Sequence, residues 1–181
     1  MLRSVFGCVM LESRRNLEEM KTLPGLAISA LCTLISALPS IAAQPLADKK
    51  VLTLEAARKM AEAAEKTAIA NKWSVVITVM DDGGNLLFLE RMDDAPLGSI
   101  QIAQQKAHTA VIFKGPSKDF EEGLAKGNMS YLKLDGLPFE GGIPIVVGGK
   151  VIGAIGVSGG TAAQDGQVAK AGADWLASNT K

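Results

Sequence analysis

Residues 141–165 read GGIPIVVGGKVIGAIGVSGGTAAQD, and this segment contains the clearest structural pattern of the chain. Two runs rich in β-branched residues flank Gly148-Gly149. This pattern is typical of a hairpin, because paired glycines accept the positive φ angles of a two-residue turn. Thr161 and Gln164 then have the spacing of a capping box, which predicts the start of a helix. The stretch therefore predicts strand, turn, strand, glycine loop and helix.

The glycine loop has the composition of an anion-binding site. Small residues leave the backbone N–H groups of the loop accessible, and the start of a helix carries a partial positive charge. We therefore predict a cradle for a carboxylate or phosphate of a ligand, at the polar mouth of an apolar cleft. Its members are Ser158, Gly159, Gly160 and Thr161.

The first 43 residues are predicted to be a leader. Residues 20–43 begin with Met-Lys, continue through an apolar run and end in small residues, which is the pattern of a secretory signal. We expect cleavage near Ala42 or Ala43, and hence a periplasmic or secreted protein without membrane contact. For residues 1–19 two alternatives are open. Either translation starts at Met20, so that these residues are not part of the protein, or they form an extended leader with a segment similar to a twin-arginine signal.

Residues 44–181 exclude several kinds of partner and site. They carry 15 Lys and Arg against 16 Asp and Glu, a net charge of −1, so nothing favours binding to nucleic acid or to an anionic membrane. Both cysteines, Cys8 and Cys32, lie in the leader, so the mature chain is expected to hold no disulfide and no Cys-based zinc site. The remaining length suits one domain.

The order of the predicted elements indicates an α+β fold. Residues 44–52 are a short N-terminal arm, and residues 53–178 form the domain. The elements are a helix capped by Thr53 and ending near Asn71, a hairpin over 73–89, a helix over 98–113, a short helix capped by Ser117, the C-terminal hairpin, and a helix ending at Ala177. Two hairpins among four helices imply a mostly antiparallel sheet covered by helices.

Six ordered motifs resemble one known family. They are DDGGNL at 81–86, RMD at 91–93, Ser99, AQQKAHTA at 103–110, GGIP at 141–144, and GAIGVSG at 153–159 with Gln164-Asp165. Together they resemble the haem-binding or haem-degrading domain family of the GlcG and HbpS type, over about residues 52–177. The resemblance implies a profilin-like or roadblock-like fold, homo-oligomers, and haem as the cofactor. One departure is Asp94, where the family usually has glycine, which adopts positive φ more readily.

Four residues of these motifs are candidate haem contacts. His108, the only histidine of the chain, is either an axial ligand of the iron or a polar residue on a helix. Lys106 and Thr109 either bind a propionate, through the ammonium group and the hydroxyl, or form internal hydrogen bonds. Arg91 either makes a bidentate contact with a carboxylate or pairs with the acidic residues that follow it.

Two further patterns point to other chemistry. Glu62 and Glu65 share a face of the first helix, so they either hold a surface metal cation or form a solvated face in which Glu62 pairs with Lys66. Residues 156–160 satisfy the Gly-x-Ser-x-Gly pattern of a hydrolase. His108 precedes Ser158, whereas that fold places its histidine after the serine, so anion binding or capping is the favoured role of Ser158.

We therefore expect an exported homo-oligomer that binds a planar ligand bearing carboxylates, with haem as the favoured ligand, in an apolar pocket. Haem degradation and sensing through a partner protein are both open as its biological role. One alternative is a small-molecule enzyme acting on a hydroxy- or oxo-acid, with Lys106 or Asp165 as the proton-transfer group. The other is a corrinoid-binding module without turnover.

Overall fold

Two β-hairpins pair side by side to form one antiparallel sheet. The structure is a computed structural model that describes residue 46 and residues 48–180, so the predicted leader lies outside the described residues. The strands are β1 (Val76–Asp81), β2 (Leu86–Arg91), β3 (Gly142–Val147) and β4 (Lys150–Ser158). Their order is β2-β1-β4-β3, with every neighbouring pair antiparallel. The two hairpins therefore meet through β1 and β4, the central strands.

The helices cover both faces of this sheet. They are α1 (Leu54–Ala70), α2 (Ser99–Ile112), α3 (Ser117–Ala125) and α4 (Ala162–Asn179), with a 3-10 turn at Met129–Lys133. Helix α2 packs on one face, whereas α1 and α4 pack against each other and on the opposite face. The predicted α+β architecture of an antiparallel sheet covered by helices is confirmed. Within the described part of the chain, no helix combines the length and the apolar character needed to cross a membrane.

The turns and caps mostly follow the sequence predictions. Gly148 and Gly149 adopt φ angles of 58° and 75°, which confirms the glycine turn between β3 and β4. The Thr53 hydroxyl accepts a hydrogen bond from the Ala56 N–H at the start of α1. Both bonds of the capping box at Thr161 are present at the start of α4. Local chemistry therefore sets the bounds of these elements.

Ser117 is an exception, since the prediction that it caps α3 is wrong. It is the first residue of that helix and makes no capping bond. Its hydroxyl donates to the Phe139 carbonyl at 2.6 Å and accepts from the Gly142 N–H at 2.8 Å. Ser117 therefore ties the start of α3 to the segment that leads into β3.

The central strand β1 is buried on both sides. Ile77 and Val79 belong to the cluster formed with α1 and α4. Val76 and Met80 belong to clusters with Ala103 and the alanines that follow it on α2. A strand covered on both faces reads as a continuous apolar run, which is why β1 shows no alternation in the sequence.

Helix α2 lies unusually close to β3 and β4. At Gly156 a Cβ atom would overlap the Ala103 carbonyl oxygen and lie 2.6 Å from the Ala107 nitrogen. At Gly142 a Cβ atom would overlap the Lys106 carbonyl oxygen. Both glycines are therefore required by the contact between helix and strand backbones, and any side chain there pushes α2 away from the sheet.

The loop before α2 holds a residue in the left-handed region. Asp94, the departure from the resembled motif, has a φ of 64°. Asp and Asn tolerate this region better than most residues with a Cβ atom, although left-handed backbone still costs about 1–2 kcal/mol in general. The loop therefore keeps a conformation that suits glycine, despite the departure in sequence.

We expect Gly156→Ala to lower the free energy of unfolding by about 1–3 kcal/mol, because the added methyl group overpacks the contact with α2. Urea unfolding followed by circular dichroism measures the change. The matched control is Gly98→Ala, where a Cβ atom meets nothing within 4 Å. That control should change stability by no more than about 0.5 kcal/mol, and equal effects of the two substitutions would contradict the proposed close contact.

Candidate functional site

A buried ion pair joins α2 to the start of α4. The Lys106 Nζ lies 2.6 Å from the Asp165 Oδ2, and the two side chains are only 4% and 3% exposed. The lysine side chain runs beside Gly141, where a Cβ atom would come within 3.0 Å of both Lys106 and Asp165. The pair therefore lies at the junction of α2, the entry to β3, and the glycine loop.

The glycine loop closes on that same carboxylate. The Gly160 N–H donates to the Asp165 Oδ1 at 2.9 Å, and the Thr161 N–H donates to the Gln164 side chain at 2.8 Å. Ser158 is buried and pairs with Val76 in the sheet. The prediction that these amides face a ligand is therefore wrong for Gly160 and Thr161. The loop does bind an anion, but the anion is a side chain of the same chain.

Burial changes the titration of this carboxyl group. Loss of hydration raises the pKa of Asp165 above its ordinary value, while the Lys106 ammonium and the Gly160 and Gly159 amides act in the opposite direction. The ion pair therefore offsets only part of the cost of burying the charge. A proton-transfer role for Lys106 or Asp165 would require contact with a substrate, and the burial of both side chains argues against that alternative.

A cleft of about 170 Å³ opens on another side of α2. Its lining residues are Gln105, His108, Thr109, Leu134, Asp135, Gly136 and Leu137. Residues two positions apart on a helix do not share a face, so His108 points away from the direction of Lys106. The half-buried His108 ring also lies beside Gly84, in the turn between β1 and β2. None of Ser158–Thr161 lines this cleft, so it is separate from the glycine loop.

Thr109 holds the Leu134–Leu137 segment of the cleft lining against α2. Its hydroxyl donates to the Gln105 carbonyl at 2.7 Å and accepts from the Leu137 N–H at 2.8 Å. Of the two alternatives for Lys106 and Thr109, the structure thus shows the internal contacts. Among the three motif residues of α2 considered as haem contacts, His108 is the one whose side chain remains available to a ligand.

The segment that carries Leu134–Leu137 is held by further long-range contacts. Ser117 binds the Phe139 carbonyl and the Gly142 N–H just after it, and the Glu121 carboxylate accepts from the Glu140 N–H at 2.7 Å. Lys118 forms an ion pair with Glu140 at 3.1 Å. Sequence reasoning missed these residues, because a serine or glutamate at a helix start looks the same whether it caps that helix or binds a loop twenty residues away.

Arg91 is not part of the cleft. It is exposed at the end of β2, whereas Gly84 beside His108 precedes the start of that strand. A six-residue strand is about 20 Å long, so the two residues lie at opposite ends of the hairpin. Within residues 48–180, none of the ion pairs involves Arg91, so pairing with Asp93 or Asp94 does not occur either.

A third carboxylate, that of Glu90 on β2, lies near Glu62 and Glu65 of α1. Glu62 pairs with Lys59 at 3.1 Å rather than with Lys66. Burial raises the pKa of Glu90 on β2, and the neighbouring Glu65 and Glu62 raise it further. In the part of the chain that the structure describes, no three acidic, histidine or cysteine side chains are grouped to hold a metal ion. A cation held by Glu62 and Glu65 alone stays a prediction.

Substitution of either partner of the buried ion pair alone should lower the free energy of unfolding strongly. We expect Lys106→Met and Asp165→Asn each to cost about 3–5 kcal/mol of unfolding free energy, because each leaves a buried polar group without its partner. The double substitution Lys106→Met with Asp165→Asn should cost less than the two single effects combined. Strict additivity in urea unfolding would contradict the pairing.

The Lys106→Met variant should also show a characteristic pH dependence. Without the ammonium, the pKa of Asp165 in the folded protein should rise further above its value in the unfolded chain. A group of this kind stabilises the fold while it is protonated, so unfolding free energy should fall as pH rises through the folded pKa. A stability that is flat from acidic to neutral pH, relative to the unsubstituted protein, would contradict this account.

The fold resembles that of solved structures, of which two are compared in detail. A double mutant of HbpS from Streptomyces reticuli superimposes with a TM-score of 0.67 at 35% identity, covering 78% of this chain and 98% of that one. The structure of PduOC in complex with heme superimposes with a TM-score of 0.64 at 28% identity, covering 69% of this chain and 94% of that one. The superposition therefore covers nearly all of each of the two solved chains.

The sequence comparisons agree with the structural ones. GlcG of Escherichia coli K12 is 45% identical over 111 residues, which are 61% of this chain and 83% of GlcG. Residues 52–174 match the family described as haem-degrading protein, HbpS-like. This match includes α1, α2, the cleft and the ion pair, and the chain therefore belongs to the HbpS-like family.

Proposed function

We propose that this protein binds haem in the cleft beside His108. Membership of the HbpS-like family and similarity to PduOC, which was solved with heme, support this proposal. The observation that carries it is the position of His108. Among the side chains of α2, hydrogen bonds within residues 48–180 engage Gln104, Lys106 and Thr109, which leaves the imidazole nitrogens free for a ligand.

The size of the cleft limits how haem would bind. Pockets that enclose small ligands usually measure about 300–1,000 Å³, whereas this cleft measures about 170 Å³. It would therefore enclose only part of the macrocycle. The residues fit this arrangement, since imidazole is a common axial ligand of haem iron and Leu134 and Leu137 offer apolar contact to the ring.

The roles of the residues follow from this placement. The His108 imidazole would bind the iron, the two leucines would exclude water from one face of the ring, and Thr109 would hold the loop that carries them. Bound haem supplies the redox chemistry of its iron, and the protein supplies position and polarity. The Gly160 N–H of the glycine loop binds the Asp165 carboxylate, so this proposal gives that amide no role in binding a propionate.

Haemin titration of the purified protein tests the proposal. We expect a red-shifted Soret band, and in His108→Ala a dissociation constant raised by at least about tenfold, equivalent to about 1.4 kcal/mol. The control is Gln167→Ala, which changes an exposed polar residue on α4 and should bind as the unsubstituted protein does. An absent band in the unsubstituted protein contradicts haem binding, and an unchanged band in His108→Ala removes that residue as the ligand.

We propose further that bound haem is degraded, as the description of the family indicates for its members. In the presence of a reductant and dioxygen, the protein should accelerate loss of the Soret band and release of products relative to free haem. Equal rates with and without protein would leave binding intact and contradict turnover. His108→Ala supplies the matched comparison at equal haem occupancy.

We also propose that residues 20–43 direct export and that the mature protein acts in the periplasm or outside the cell. The small residues at 42–43 favour cleavage there. N-terminal sequencing of protein recovered from the extracytoplasmic fraction should therefore begin near residue 43 or 44. A mature protein that begins at Met1 or Met20 would contradict this proposal.

A further inference from the structure

Two buried serines, Ser99 and Ser158, have hydroxyl groups that make no hydrogen bond within residues 48–180. Each of these residues is only 5% exposed. Among the described residues, only Thr78 has an unpartnered side-chain polar atom that is wholly enclosed, so the two serine oxygens remain reachable from solvent. Buried polar groups normally have a partner, and two unpaired hydroxyls that solvent can reach therefore point to a bound molecule.

The packing of α2 brings the two serines together. The Ala103 carbonyl lies against Gly156, and alanines further along α2 pack on Ala154, so the helix runs in the direction opposite to β4. The step from Gly156 to Ser158 covers about 6.6 Å of strand, which corresponds to about four residues of helix. Four residues before Ala103 is Ser99. Both serines therefore lie at the first turn of α2, on the same side of the sheet.

Arg91 lies at the same level of the sheet as Ser158. Val76 pairs with Arg91 on one side and with Ser158 on the other, so the three residues form one row across three strands. Paired residues of neighbouring strands project from the same face, and Val76 packs against Ala103 of α2 on that face. The Cα atoms of Arg91 and Ser158 are about 10 Å apart at the usual strand spacing, a distance that an arginine side chain and one small ligand can bridge.

The start of α2 adds a main-chain donor and a partial positive charge. The helix has neither a capping side chain nor an acidic residue in its first turn. The N–H groups of Ser99 and Ile100 are used in the turn that leads into the helix, whereas no partner of the Gln101 N–H is found in the described part of the chain. One helix N–H, two hydroxyls and a guanidinium are all donors that suit the oxygens of an anion.

We propose that Arg91, Ser99 and Ser158 bind a small monocarboxylate at the start of α2. Arginine matches the two oxygens of a carboxylate with a pair of parallel hydrogen bonds. Asp93 and Asp94 are exposed in the loop that follows Arg91, and they would repel a second negative charge on the ligand. A singly charged carboxylate therefore fits this site better than a phosphate dianion.

This monocarboxylate site is separate from the cleft. Arg91 lies at the opposite end of β2 from the turn that adjoins His108, and none of the three residues of the site lines the cleft. The site also differs from the glycine loop, whose Gly160 N–H already binds Asp165. The proposal therefore does not depend on haem binding.

Titration of isotope-labelled protein with sodium acetate, followed by two-dimensional NMR, tests the site. We expect the main-chain N–H signals of Gln101 and Ser158 and the side-chain Nε–H signal of Arg91 to shift saturably. Sodium chloride at equal ionic strength should not reproduce these shifts, since it only screens charge. Sodium phosphate at slightly alkaline pH, where the dianion predominates, should bind more weakly than acetate.

Substitutions identify the groups that bind acetate. Arg91→Gln should raise the dissociation constant by at least about tenfold, and Arg91→Lys should fall between the two, because an ammonium group keeps the charge but not the paired geometry. Ser99→Ala and Ser158→Ala should each weaken binding severalfold. Arg58→Gln is the matched control, since Arg58 is an exposed arginine on α1, and it should leave binding unchanged. Circular dichroism establishes that each variant is folded.

The outcomes separate this site from the proposed function. Shifts that chloride reproduces, or an unchanged acetate affinity in Arg91→Gln, overturn the site, and unchanged affinity in both folded serine variants removes the hydroxyls from it. Tighter binding of phosphate than of acetate overturns the assignment to a monocarboxylate. His108→Ala should lose haemin affinity and keep acetate affinity. Loss of acetate binding in that variant would place acetate in the cleft and overturn the separate site, whereas a failure of haemin to bind leaves the acetate result unaffected.

Discussion

Direct contact between the backbone of α2 and the backbones of β3 and β4 determines the direction of every side chain on that helix. Gly142 and Gly156 permit the contact, and no residue with a Cβ atom fits at either position without moving the helix. With α2 fixed in this way, Lys106 has to enter the interior while His108 remains on the accessible side. The positions of the buried ion pair and of the candidate site therefore both depend on glycine at these two positions.

The ion pair illustrates why an anion-binding pattern has two meanings. Small residues followed by a helix start create a set of main-chain donors that attract a carboxylate. In this protein the carboxylate comes from Asp165, within the first turn of the helix that the loop begins, and Lys106 supplies the opposing charge. The arrangement joins α2, the loop after β4 and α4 through one polar cluster.

Local features of the fold could be predicted from the sequence, and long-range polar contacts could not. The glycine turn at Gly148-Gly149 and the caps at Thr53 and Thr161 depend on residues within four positions of one another, so composition and spacing predict them. Lys106 and Asp165 are 59 positions apart, and Ser117 binds groups 22 and 25 positions away. Such pairs depend on how the layers pack, which periodicity does not encode. A motif predicts both His108 and Thr109 as candidate contacts, but their different roles depend on the direction that each side chain takes around α2.

The main-chain donor that Asp165 occupies could become a ligand site after a single substitution. A relative that kept the glycine loop but replaced the aspartate at position 165 with a smaller neutral residue would uncover the Gly160 amide, with the ammonium of Lys106 close to the vacated position. Small carboxylates such as formate or acetate would suit that space, as in chemical rescue of enzymes that lack an acidic side chain. In this fold, a single substitution thus separates a structural ion pair from a recognition site for organic acids.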